Sequence, residues 1–149
     1  MISNTVWLKG DGMVKEGNAG AAITPGHLVI YNSTLGFIVR ATAEGDAWPA
    51  FALEADFVGR APATAYASGE RVQVLFPQHG AEINALVPAN AAAIVVGDLL
   101  VSNGDGTLKK ATGAAVTATN LRRVVARALE ALDNSAVGTP ARLRIEVLL

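Results

Sequence analysis

The feature that most constrains this 149-residue chain is internal repetition. Pro25-Gly26-His27-Leu28-Val29-Ile30-Tyr31-Asn32 lies over Val96-Gly97-Asp98-Leu99-Leu100-Val101-Ser102-Asn103, with Gly, Leu and Asn coinciding and apolar positions matching apolar positions. After a one-residue gap, Gly36-Phe37-Ile38-Val39-Arg40-Ala41-Thr42 falls on Gly106-Thr107-Leu108-Lys109-Lys110-Ala111-Thr112. Further on, Phe51-Ala52-Leu53-Glu54-Ala55 falls on Arg127-Ala128-Leu129-Glu130-Ala131, and Arg71-Val72-Gln73-Val74 on Arg142-Leu143-Arg144-Ile145. Blocks that recur in one order mark a duplicated supersecondary unit. Copy one then covers about 23–76 and copy two about 94–148, within a single domain over 21–149.

Each copy reads as strands joined by turns. Leu28 to Tyr31 is a β-rich run, and Gly36 to Ala41 is its hairpin mate. In copy two, Asn103-Gly104-Asp105-Gly106 separates the equivalent strands, and Asn-Gly and Asp-Gly accept the positive φ that tight hairpins require. Third strands are predicted over Ala50 to Glu54 and Val124 to Glu130, and fourth strands over Glu70 to Phe76 and Ala141 to Leu148. The last places Leu143, Ile145 and Val147 on one face by period-two alternation.

Leu121, Val124, Val125, Ala128, Leu129 and Leu132 also follow the i, i+3, i+4 spacing of an amphipathic helix. The matching stretch of copy one begins Trp48-Pro49, and proline resists a helix interior, so a strand is expected there, with a helical turn near Glu130 to Asp133. Residues 77–95, rich in Ala, Asn and Pro, read as a linker or extended arm. Residues 1–20 read as an N-terminal arm, with Val6, Trp7 and Leu8 followed by glycines at 10, 12, 17 and 20. The expected fold is therefore mainly β and compact, a barrel-like domain with an arm. Only 5% of residues are aromatic, and much of the apolar content is alanine. The core should be thin, built from Val, Leu and Ile, with a stability that leans on partner subunits.

The search for chemistry ends in exclusions. Twelve basic and thirteen acidic residues, with no basic stripe, do not provide the phosphate neutralisation that nucleic-acid binding needs. Without cysteine there is no disulfide, thiolate metal site or cysteine nucleophile. His27 and His79 stand alone, with no second ligand at metal spacing. Glu54 and Glu130 are related by the duplication and could form a carboxylate pair, though a rim or ion-pair role suits them better. Asn103 to Gly106 lacks the closing Glu of a calcium loop, and Asn32-Ser33-Thr34 is a glycosylation sequon read here as a turn. No apolar run spans a bilayer, no secretion signal is seen, and the product is expected to stay in the cytoplasm where it is made. No catalytic residue, cofactor, metal or small-molecule substrate is expected. Trp7 stands apart, as either a cap on its own core or an anchor on a partner.

One order of segments is familiar. Val14-Lys15-Glu16-Gly17 leads to Ile23-Thr24-Pro25-Gly26-His27-Leu28-Val29, then Val96-Gly97-Asp98-Leu99-Leu100-Val101, Val124 to Ala131, and Arg142-Leu143-Arg144-Ile145-Glu146-Val147-Leu148. From about Val14 to the end this resembles the capsid decoration, or cement, proteins of tailed phages. The resemblance implies a β-tulip or β-clip fold, a homotrimer, and a virion protein that binds the major capsid protein from outside and stabilises the expanded shell. It implies no active site. It also implies an N-terminal arm that adds to capsid strands, which makes Val6, Trp7, Leu8, Met13 and Val14 the capsid-contact candidates. The rival readings are a small β-clip ligand-binding module associated with an enzyme and another virion part, such as a head-fibre base.

Overall fold

The computed structural model describes residues 5–46, 48–113 and 123–148. Strand-forming alternation is realised in two successive units. In the first, β2 (Gly12–Asn18), β6 (Arg71–Pro77) and β5 (Phe51–Ala52) form an antiparallel sheet in the order β2-β6-β5. The hairpin of β3 (Val29–Asn32) and β4 (Gly36–Val39) joins β5 through a Leu28–Phe51 bridge. In the second unit, β7 (Glu82–Val87), β11 (Ala141–Val147), β10 (Val124–Ala128), β8 (Leu99–Ser102) and β9 (Leu108–Lys110) follow in the order β7-β11-β10-β8-β9. This is the same sequence of pairings. A short strand, β1 (Trp7–Lys9), is added on the far edge of β7. Asp56–Val58 is a 3₁₀ turn, and no helix among the described residues is long and apolar enough to cross a membrane.

The two units agree at the level of single hydrogen bonds. Gly26 N–H donates to Ala52 O at 2.7 Å, as Gly97 does to Ala128 O at 2.9 Å. Ala52 and Ala128 return bonds to His27 O and Asp98 O at 3.0 and 2.9 Å. Even the side chains correspond: His27 Nδ1 accepts from Thr24 N–H at 3.1 Å, and Asp98 Oδ2 accepts from Val95 N–H at 2.9 Å. A histidine and an aspartate thus do one job, closing the turn that precedes the hairpin. Gly26 and Gly97, at φ 94° and 91°, supply the left-handed backbone that turn needs.

Several expectations change in detail. The hairpin registers, Val29 with Val39 and Leu100 with Lys110, align without a gap, so Gly36 corresponds to Thr107 rather than Gly106. The two turns close differently. Asn32 Oδ1 takes the N–H groups of Thr34 and Leu35, while Asp105 Oδ1 takes that of Thr107. The segment 77–95 is no simple linker, because it holds β7, which pairs along its whole length with β11. Its alternating Ile83, Ala85 and Val87 are buried, and long-range pairing outweighs the turn-like composition around them. The arm expected over 1–20 carries β1 and β2, both paired within the chain. Val124–Ala128 is a strand, and near Leu132 a bridge to Ile94 takes the place of the expected helical turn. Leu121, where the helical pattern begins, lies outside the described residues.

Burial of His27 pulls its imidazole below the ordinary histidine range, against the Asp105 charge and with that of Arg142. The folded state therefore binds this proton less readily than the unfolded chain. Stability is full above the unfolded pKa of about 6.5 and falls as pH drops below it. Urea midpoints measured from pH 7.5 to 5 should fall more steeply for the native chain than for His27→Asn, whose amide oxygen can still accept from Thr24. Parallel curves would show that His27 does not titrate against folding. Glycine supplies a second check. At Gly36 (φ 91°) an added Cβ would meet Asn18 O at 2.3 Å, whereas at Gly97 (φ 91°) it meets nothing within 4 Å. Gly97→Ala should cost about 1 kcal/mol and Gly36→Ala about 2–4 kcal/mol in denaturant unfolding, strain plus clash against strain alone.

Candidate interaction surface

The polar groups singled out in the sequence are engaged in structure. Glu54 accepts from Val6 N–H at 3.0 Å and Glu130 from Arg144 N–H at 2.8 Å. Each of the two duplicated carboxylates therefore serves a backbone donor. Arg142, half-buried between the units, donates to Pro62 O at 2.7 Å and Asn84 O at 3.4 Å. Its burial lowers its pKa, opposed by the charge of Glu54. His79 is exposed, with Nδ1 3.0 Å from Leu148 O. No group of three or more His, Asp or Glu is placed to hold a metal among the described residues. Arg60 grips Glu70 with two bonds of 2.9 Å, and together with the Ala67 N–H this holds the Glu70 carboxyl at about 2. That pair fixes the loop beside Phe57 and Val58, which are themselves exposed.

The five capsid-contact candidates separate into two groups. Val6 is fully buried in the chain's own core, and Trp7 packs half-buried against that core. Trp7 also lines a cleft of about 140 Å³ with Thr5, Leu53, Glu54, Asp56 and Gln73. Leu8 is half-buried within β1. A β1 held against β7 cannot serve as a free arm, since releasing it would expose Val6 and strip partners from the β7 edge. Met13 and Val14, by contrast, stand exposed at 60% and 42% on β2.

Met13 belongs to a surface that sequence reasoning missed. It pairs with Phe76, so the two side chains share a face. Phe76 lies 6.4 Å from Phe37, which meets Tyr31 edge-on at 5.3 Å. Lys15 sits over the Phe76 ring at 5.4 Å. A cleft of about 230 Å³ opens beside them, lined by Val29, Ile30, Tyr31, Arg40, Trp48, Ala50 and Phe76. Trp48 is 85% exposed and Tyr31 63% exposed. Four of the chain's eight aromatic residues thus gather on one side of the first unit. Two of them face water, where tryptophan and tyrosine are characteristic of protein-binding hot spots. The available signal was Trp48-Pro49 in a polar, glycine-containing loop of an aromatic-poor chain.

No family model matches this chain, and no curated protein does. Among solved structures, the head fiber gp8.5 N base of bacteriophage phi29 is similar, with a TM-score of 0.54 and 17% sequence identity over 93% of this chain and 99% of that one. The likeness is one of fold, a mainly β domain matched along nearly the full length of both chains.

Proposed function

We propose that this protein is a non-enzymatic structural component of a phage virion, seated on the outside of the capsid as a head-fibre base or decoration protein. The observation that carries the reading is the fold likeness to a head-fibre base, which extends across 93% of this chain rather than a shared fragment. Two further features support it. The polar side chains that could do chemistry are occupied as backbone acceptors and ion pairs. The exposed chemistry is instead apolar and aromatic, the character of a protein-binding face, centred on Trp48 and Tyr31. The partner is the major capsid protein, and the assembled form is a homotrimer. The cleft beside Trp48 is apolar and lacks the converging polar groups that orient a small ligand, which disfavours a ligand-binding module.

The test is co-sedimentation of the purified protein with expanded capsids and with unexpanded procapsids of the phage that encodes it. Saturable binding to expanded shells is the expected outcome, and absence of binding to either shell overturns the reading. Thermal melting of decorated shells then separates a stabilising cement from a passive fibre base, since only the former raises the melting temperature of the shell. Trp48→Ala should leave the melting temperature of the free protein within a few degrees of native, because the side chain is 85% exposed. It should weaken shell binding about tenfold or more, as loss of a tryptophan anchor does. Unchanged binding would remove Trp48 from the contact.

A further inference from the structure

We infer that the outer edge of β2 receives an extended segment of the capsid protein as an added strand, as the edge of β7 receives β1. The inference rests on the capsid reading above and specifies how the partner is held.

Backbone direction along β2 can be read from its ends. Asp11 O accepts from Gln78 N–H and Ala19 N–H donates to Glu70 O, so odd-numbered residues address β6. In an antiparallel pair the residues between them then turn their N–H and C=O groups the other way. Farther along, that outward side is used: Gly20 N–H donates to Phe37 O at 2.7 Å, where β4 approaches. At Val14 and Glu16 no backbone partner is present among the described residues.

The second unit shows what such an edge can take. Val14 and Glu16 pair with Leu75 and Gln73, and the corresponding pairs in the second unit are Glu82 with Glu146 and Asn84 with Arg144. There the outward side is filled. Asn84 N–H donates to Val6 O at 2.8 Å, Trp7 lies opposite Ile83, and Lys9 lies opposite Glu82. Among the described residues, this edge thus carries a strand in the second unit and, along Val14 and Glu16, none in the first.

Side chains on β2 define the occupant. Met13 and Lys15 share the face of Phe76, which continues into the aromatic cleft. Lys9, Lys109 and Lys110 each stand within 4.0 Å of a carboxylate, whereas Lys15 sits over the Phe76 ring and meets no carboxylate among the described residues. The edge therefore fits an extended segment with an apolar residue over Met13 and a carboxylate beside Lys15. A second copy of β2 fits poorly. Antiparallel registers centred on Lys15 or Glu16 set like charges directly opposite, which is destabilising. A register centred on Val14 pairs only residues 12–16. Lys15 and Glu16 thus guard the edge against its own kind while leaving it open to a complementary strand.

The experiment uses hydrogen exchange and Val14→Pro. Proline at 14 removes an N–H that no backbone bond among the described residues uses, and edge strands tolerate proline when that N–H faces solvent. Exchange at 12–17, followed by mass spectrometry, should slow at least tenfold when the native protein binds expanded shells. Val14→Pro should bind at least tenfold more weakly, while Val14→Thr, which keeps the N–H, binds as the native chain does. If the native protein binds shells yet 12–17 exchanges as fast as in the free state, the edge proposal is overturned and the capsid reading stands. If the native protein does not bind shells at all, both fall. Protection of the outward amides of Val14 and Glu16 in the free oligomer would assign the edge to a second copy and likewise overturn the proposal. Should Val14→Pro fail to fold, the exchange measurement on the native chain decides alone.

Discussion

The structure depends on a core shared between its two units. In the first unit, successive residues face opposite ways into two apolar clusters. Leu28, Phe51 and Leu75 enter one, and their neighbours Val29, Ala52 and Val74 enter the other. The second cluster belongs to the first unit alone, with Ile23, Phe37 and Tyr66. The other also contains Ile83, Leu100, Leu143 and Ile145, so the first unit supplies part of the core into which the second packs. Burying one such side chain is worth about 1.5–3 kcal/mol, and an upper estimate at that, because the unfolded chain already hides some area. No single contact is large. Separating the units would expose the outer faces of β5 and β6 together with most of the second sheet's interior. Backbone bonds cross the same junction, from Leu28 N–H to Gly106 O at 2.7 Å and from Leu86 N–H to Gly26 O at 3.3 Å. A duplicated sequence has become one cooperative body.

Duplication also explains what is unequal. The two units share pairing order, turn glycines and the side-chain cap at His27 and Asp98, features fixed by local backbone geometry. They differ where they meet the rest of the chain. The edge of β7 is closed by β1, and the Val6 side chain completes the shared core. Among the described residues, the equivalent edge of β2 meets β4 near Ala19 and no other strand. The exposed aromatic residues Tyr31 and Trp48 lie on the same first unit.

Much of this was legible in the residues. The repeated Gly-x-Leu pattern located both hairpins, because positive φ at Gly26 and Gly97 is a requirement of the local chain and survives in any context. The proline after Trp48 settled Val124–Ala128 as a strand by analogy, against a helical spacing that tertiary pairing overrode. β7 was not legible. Its Ile83, Ala85 and Val87 alternate, but Asn84 on its other face is buried as well, and flanking Pro77 and Pro88 imitate a linker. The pairing of β1 was equally hidden, since nothing within residues 7–9 specifies a partner more than seventy positions away. Exposure of Trp48 depends on where a loop leaves the sheet, which composition does not encode. Val6 is buried in the chain's own core and Trp7 packs against it, whereas Met13 and Val14 are exposed, a division that position within the first twenty residues does not reveal.

That division carries a physical lesson about thin, alanine-rich cores. With few large side chains available, the chain uses Phe51 and Tyr66 to fill its interior, and Tyr66 satisfies its hydroxyl on Leu53 O at 2.8 Å. Every further aromatic left in solvent forgoes burial worth as much as a core leucine. A chain with eight aromatic residues that leaves Tyr31, Trp48 and Phe57 more than 60% exposed is underusing its scarcest core material. An apolar, aromatic face beside an open strand edge becomes favourable when a second surface covers both, combining side-chain burial with backbone pairing in one contact.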